Sequence, residues 1–444
     1  MLQKKHTAGK PRPLYTARVL DLDGEGRGRV CADGREVYIE GVLPGETVTF
    51  QRLRKYRGKM QGRAVEISAP SPRRVTPPCA HAGVCGGCRL QHLEYGMQLE
   101  YKEDILRRHL EACPNLRPAR WLPVVTGPPL AYRRRARLSV RYHARDDEIR
   151  IGFRARYGGY VLALRDCPVL EARVARLLPS LHECLQGLSC RARIPQIEVS
   201  VGDSAAALVV RHLDPLSDAD KTALREYGEI HGLGIYAQPK GPDSCVPLYV
   251  PGAGILSYAL PAHQVEIRFS PVDFIQVNGG VNRLMVDQAL DLLAPRTNEV
   301  VLDLFCGLGN FSLPLARRCA GVVGADFCAA LVERARVNAR RNGIVNAEFL
   351  HADLSEEGSA ALWARYNPDK VLLDPARSGA LPMLRALPAH GPRRIVYVSC
   401  NPETLARDAD CLVNEKGYEL THAGLIDMFP HTNHIESMLV FDRP

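Results

Sequence analysis

An α/β fold is predicted for this chain: a doubly wound parallel sheet in its second half, with a small all-β domain at the front. Three observations predict it. From about residue 271 apolar strand-like runs alternate with helical patterns: "EVVLDLF", "GVVGAD", "AEFLHAD", "KVLLDPA", "RIVYVSC" and "SMLVF"; such alternation builds a parallel sheet with ligands at the strands' carboxyl ends. Between Tyr15 and Ile67 the runs are short and alternating and are broken by glycine turns, as in a small closed barrel. Finally, 444 residues with 46% hydrophobic and 24% charged side chains suffice for two or three globular domains.

At the start, "MLQKKHTAGKPRP" lacks the apolar core of a signal peptide, and no run of about 18 apolar residues follows. A cytoplasmic protein without a membrane partner is expected, so the 14 cysteines should be thiols, metal ligands or catalysts. The formal charge is +9, and residues 1–75 hold 16 Lys and Arg against 8 Asp and Glu, a local excess of +8. That concentration suggests an anionic polymer as partner. In "QRLRKYRGKMQGR", Lys55 and Arg57 flank Tyr56, a phosphate-tracking face with a stacking platform.

"APSPRRVTPP" reads as a linker. "CAHAGVCGGCRLQH" follows, with Cys79, Cys85 and Cys88 spaced C-x5-C-x2-C, too dense for packing residues; zinc and iron-sulfur are both allowed. "LRDCPVLE" offers Cys167 as a fourth ligand. A helix is expected over residues 95–112, with Leu99, Ile105, Leu106 and Leu110 on one face. In the middle third, the strand "YRRRARLSVRYH" carries Arg133 and Arg134 as further phosphate contacts.

"VVLDLFCGLGNFSLPLA" reads as a buried strand, a Gly307-Leu308-Gly309 turn and a helix. Ser312 stands where the dinucleotide fingerprint wants its third glycine, so a pyrophosphate cradle is incomplete. Asp326 closes the next strand, placed for ribose hydroxyls, and Asp353 closes the third, placed for an adenine amine. These features suit S-adenosylmethionine, a nucleoside without phosphates, better than NAD. In "RRIVYVSCNPETLARD" the strand ends in Cys400, then Asn401 as N-cap and Pro402 as first helical residue. A buried cysteine is ordinarily apolar filler. Here the thiol sits at the sheet's functional edge against a helix mouth whose partial charge favours thiolate. Asp374 ends the neighbouring strand, and Glu436 stands just before the last one. A thiolate, two carboxylates and a methyl donor suit C5 methylation of a pyrimidine. Thiolate addition at C6 makes C5 nucleophilic, a base later removes the C5 proton, and the target base must leave its stack.

Together "PVDFIQVN", "LDLFCGLGNFSLPLA", "LLDPAR", "VSCNPETLARD" and "HTNHIESMLVF" resemble the RNA uracil-5 methyltransferases, and the front part resembles the TRAM barrel of some members. The resemblance implies a Rossmann-like S-adenosylmethionine methyltransferase sheet (93–124 and 271–444), an OB-like TRAM barrel (10–69) and a central iron-sulfur domain (70–92 and 125–270). It implies cofactor contacts through Gln276, Phe305, Asn310, Asp326, Asp353 and Asp374. Cys400 would be the nucleophile, Glu436 the base, and Phe274 would stack on a nucleobase. It selects a [4Fe-4S] cluster on Cys79, Cys85, Cys88 and Cys167, as in the ribosomal RNA branch, hence 23S ribosomal RNA as partner; separately, a monomer is expected. One departure is Asp326, where members usually carry glutamate. A radical S-adenosylmethionine methylthiotransferase is the main rival, although its cysteines are spaced C-x3-C-x2-C. A non-catalytic RNA-binding iron-sulfur protein would have no need of Cys400 and Glu436.

Overall fold

A computed structural model describes residues 13–252 and 254–444; positions 10–12, expected to open the barrel, and the polar start of the chain lie outside them. The chain divides into two compact units. One runs up to Tyr101 and includes His431–Asn433; the other comprises Lys102–Pro430 and His434–Pro444.

In the smaller unit, strands Leu14–Leu22, Gly28–Ala32, Arg35–Ile39, Lys59–Ala69 and Thr47–Tyr56 close, in that spatial order, into a barrel. Alternation puts Val19, Val30, Val37, Val48 and Phe50 inside. The closing parallel pair sets Ile39 beside Gly62, where a Cβ would lie 2.8 Å from the Ile39 side chain and 2.9 Å from that of Val37. Only glycine lets these strands meet.

The larger unit is built on an eight-stranded sheet. Its order is Ala347–His351, Gly321–Asp326, Val300–Leu304, Lys370–Leu373, Arg394–Ser399, Glu436–Asp442, Glu419–Ile426 and Arg120–Trp121. The first five pair in parallel, as the strand-helix alternation predicts. Glu436–Asp442 runs antiparallel to both its neighbours, a departure from the wholly parallel expectation. The reversal matters for the site, because it brings the beginning of that strand to the edge where its neighbours end. Leu302, Val371, Ile395, Tyr397 and Phe441 fill the core, joined by Leu106 and Leu110 of the helix Tyr95–Glu111. A separate six-stranded sheet carries the arginine-rich strand Arg135–His143.

Candidate active site

The cofactor loop leaves its strand at Leu304 and turns at once through the left-handed region, at Phe305 (φ 65°), Gly307 (52°) and Gly309 (89°). For Phe305 this backbone is costly, and such strain collects at ligand sites. The amides of Phe305 and Cys306 both donate to the Ala325 carbonyl (2.8 and 3.1 Å). Asp326 ends its strand as expected and accepts from the Gly307 amide (3.0 Å) and the Cys328 amide (2.8 Å). The shorter acid therefore braces the loop. Asp353 lies two residues beyond its strand, exposed, accepting from the amide (3.0 Å) and hydroxyl (2.8 Å) of Ser355; these bonds hold its carboxyl below the usual range.

Beside the loop opens a cleft of about 420 Å³ including its mouth, lined by Phe274, Gln276, Phe305, Asn310, Asp374 and Tyr258 among others. Five of these are predicted site residues; Tyr258 is new. Gln276 donates to Asp374 (3.4 Å), and Phe274 is 68% exposed at the cleft, a free aromatic face.

At the same edge the antiparallel ladder ends in the pair Ser399–Ser437. One further step of that register sets Cys400 opposite Glu436, the first residue of its strand rather than the one before it. Asp374 follows the adjacent strand, its amide donating to Leu304 (3.3 Å). Asn401 caps the next helix by accepting from the Glu403 amide (3.2 Å), and Pro402 opens it. That local geometry is as predicted. The consequence drawn from it is not: the Cys400 thiol is pushed up to about 11, first by burial and then by the charges of Glu436 and Asp374, with Arg377 pulling the other way. The half-charge of a helix mouth is outweighed by desolvation and two carboxylates. Glu436, itself buried, is held well above the ordinary carboxyl range by burial and then by Asp374, and burial raises Asp374 too.

Asp303, not singled out from sequence, lies in the quoted strand "VVLDLF". It is fully buried and pushed up to about 7 by burial, with Asp374 and Asp326 adding to the effect. The Ser312 hydroxyl donates to one of its oxygens; the other, Oδ1, has no hydrogen-bond partner among the described residues. Asp374 lines the cleft and Asp303 and Asp326 lie near enough behind it to interact electrostatically, an acidic wall that fits a cationic ligand such as a sulfonium nucleoside.

The model of the family described as tRNA (Uracil-5-)-methyltransferase matches residues 94–444. The chain belongs to this family. Two curated relatives, from Alkalilimnicola ehrlichii and Methylococcus capsulatus, are both named 23S rRNA (uracil(1939)-C(5))-methyltransferase RlmD. The first is 47% identical over 98% of this chain and 97% of its own length, the second 46% over 98% and 99%. The fold is that of the solved Pyrococcus abyssi tRNA (uracil-54, C5)-methyltransferase in complex with S-adenosyl-L-homocysteine: TM-score 0.74, 24% identity, 96% of this chain and 99% of that one. A Rossmann-like methyltransferase sheet and, earlier in the chain, an OB-like barrel are thus established.

Elsewhere in this uracil-5 methyltransferase, the predicted residues fare unevenly. Cys79, Cys85 and Cys88 lie in the smaller unit on a run of turns, where the Gly87 amide points at the Cys85 sulfur (3.4 Å) and the Cys85 amide bonds the His81 carbonyl (2.9 Å). Cys167 is buried in the larger unit. Among the described residues no group of three or more His, Cys, Asp or Glu is drawn together to hold a metal ion. Lys55, Tyr56 and Arg57 are exposed at the tip of the hairpin joining the last two barrel strands, the Arg57 guanidinium 5.5 Å from the Tyr56 ring centre. Arg133 is half-buried and its Nε donates to the Arg135 carbonyl (3.0 Å). Arg134 is held by Asp203 at 2.7 Å, so this side chain serves an internal ion pair first. No helix among the described residues is long and apolar enough to cross a membrane.

Proposed function

We propose that this protein transfers a methyl group from S-adenosylmethionine to C5 of a uridine in 23S ribosomal RNA, in the cytoplasm and as a monomer. The observation that carries the reading is the juxtaposition of Cys400 and Glu436 on facing ends of one ladder, with Asp374 beside them and the cofactor cleft adjoining. The names of the relatives supply the RNA.

S-adenosylmethionine, when bound, supplies an electrophilic methyl group on a positively charged sulfur. Gln276, Phe305, Asn310, Asp326, Asp353 and Asp374 hold it, and Phe274 stacks on the displaced uracil. The Cys400 sulfur adds to C6, so that C5 carries the electron pair that takes the methyl. Glu436 then removes the C5 proton, and the electrons of that bond expel the sulfur. A base with a raised pKa is a stronger proton acceptor, so burial of Glu436 suits this step. A thiol near 11 is neutral in the free protein. Its proton must pass to solvent as the substrates bind: a cationic sulfonium beside Glu436 and Asp374 would lower the thiol's and both carboxyls' proton affinity, leaving Glu436 ionised to accept the C5 proton.

The barrel (10–69) and the central part (70–92 and 125–270) contact the RNA, with Lys55, Arg57, Arg133 and Arg134 facing phosphates. Cys79, Cys85 and Cys88, with Cys167 as the resemblance assigns it, would be the ligands of a [4Fe-4S] cluster of structural role. The test is transfer of labelled methyl to 23S RNA made without modification, with 5-fluorouridine RNA as trap. Methyl at one uridine and an adduct on Cys400 are expected; transfer without a protein-RNA adduct overturns the mechanism, and absence of transfer overturns the function.

A further inference from the structure

Asn310 sits at the end of the cofactor loop in a closed circuit of hydrogen bonds. Its side-chain Oδ1 accepts from the Tyr258 hydroxyl (3.0 Å) and from Asn282 Nδ2 (3.0 Å). Its Nδ2 returns one hydrogen to Asn282 Oδ1 (3.0 Å). An amide oxygen has two lone pairs and an amide nitrogen two hydrogens. Both lone pairs are therefore occupied, and one N–H remains to face the cleft that Asn310 and Tyr258 help to line.

A group left in that state can only donate. It cannot receive the ammonium of an amino acid, and it discriminates in favour of an acceptor. Among the parts of S-adenosylmethionine the α-carboxylate is the one anionic acceptor, and N–H bonds to an anion are about twice as strong as neutral ones. The surrounding charges agree. Asp303, Asp326 and Asp374 make the strand ends acidic, which serves the cationic and hydroxyl-bearing parts of the molecule but repels its carboxylate. A carboxylate entering here needs a neutral donor whose oxygen is turned away, and Tyr258 and Asn282 turn it away. Burial keeps the Tyr258 hydroxyl protonated, so it stays a donor. We infer that Asn310 reads the cofactor's α-carboxylate, and that Tyr258 and Asn282 are positioning residues that lock its amide in the donor orientation.

This rests on the reading above that the cleft takes S-adenosylmethionine. The probes are S-adenosylhomocysteine and its counterpart without the carboxylate, S-adenosyl-3-thiopropylamine, titrated calorimetrically into the full chain. In the unaltered protein, loss of the carboxylate should weaken binding ~10-fold or more. Tyr258→Phe should weaken S-adenosylhomocysteine ~5-fold and leave the decarboxylated probe within about twofold. With methyl transfer as a second readout, KM for the methyl donor should rise while kcat stays within about twofold. Asn310→Asp, which opposes one carboxylate to another, should weaken S-adenosylhomocysteine ~100-fold and the decarboxylated probe far less. Equal affinity of the unaltered protein for the two probes overturns the inference without need of any variant, as does an equal penalty of Tyr258→Phe on both. Failure of the unaltered protein to bind either probe overturns instead the reading of the cleft.

Discussion

The two edges of the large sheet treat buried acids in opposite ways. At the edge where the parallel strands begin, Glu299 is buried but accepts from Lys370 (3.1 Å), from Arg393 and from the Arg296 amide (2.9 Å); Asp442 pairs with Arg394 at 2.5 Å. At the edge where those strands end, Asp303, Asp374 and Glu436 are crowded together with no cation paired to them among the described residues, and all three carboxyls are pushed upward. The same side chains thus serve cohesion at one edge and are left uncompensated at the other. Uncompensated charge in a folded protein is a cost that a ligand or a reaction must justify.

The comparison breaks most visibly if the uncompensated edge can be disarmed without consequence. Cys400→Ser should lower methyl transfer by about 10⁴-fold or more, and Glu436→Gln by about 10³-fold while letting the protein-RNA adduct accumulate on denaturing gels; an active Cys400→Ser protein removes the reaction centre. Next, Glu299→Gln should lower unfolding free energy by about 3 kcal/mol in chemical denaturation, since it leaves Lys370 and Arg393 without their carboxylate, while activity per folded molecule is retained. Asp303→Asn should do the reverse. The folded carboxyl sits at about 7 against an ordinary 3.8. Its effect on stability is harmless below pH 4, and the penalty grows as pH rises from 4 through 7. The variant should therefore gain about 2 kcal/mol at pH 8 and nothing at pH 4, and it should bind S-adenosylhomocysteine less well. A flat difference across that range would show that Asp303 is compensated after all. The smallest effect belongs to neither edge: Lys55→Ala with Arg57→Ala should reduce the slope of log affinity against log salt by about 1 to 2, read by filter binding.

Much of the active edge was legible in the sequence because strand ends announce themselves. Asp326, Asp374 and Cys400 each follow an apolar run, and in a parallel sheet such ends share one side. Cys400, Asn401 and Pro402 could likewise be read as thiol, cap and first helical residue. What could not be read was the sum of fields on the sulfur. That depends on burial and on the reversed last strand, which sets Glu436 opposite Cys400, and neither leaves a local mark. Arg134 illustrates the same limit: nothing in the arginine-rich strand announces that Asp203, 69 residues away, pairs with it. Tyr258 and Asn282 escaped notice because their partner Asn310 lies 52 and 28 residues away.

In the proposed mechanism the nucleophile Cys400 directly follows one strand and the base Glu436 opens its neighbour, so both are tied to one ladder. Catalytic alignment then reduces to delivering two guests, a methyl and a ring, to a prebuilt pair. A single inserted residue in either strand would turn one partner to the opposite face of the sheet and break the pair.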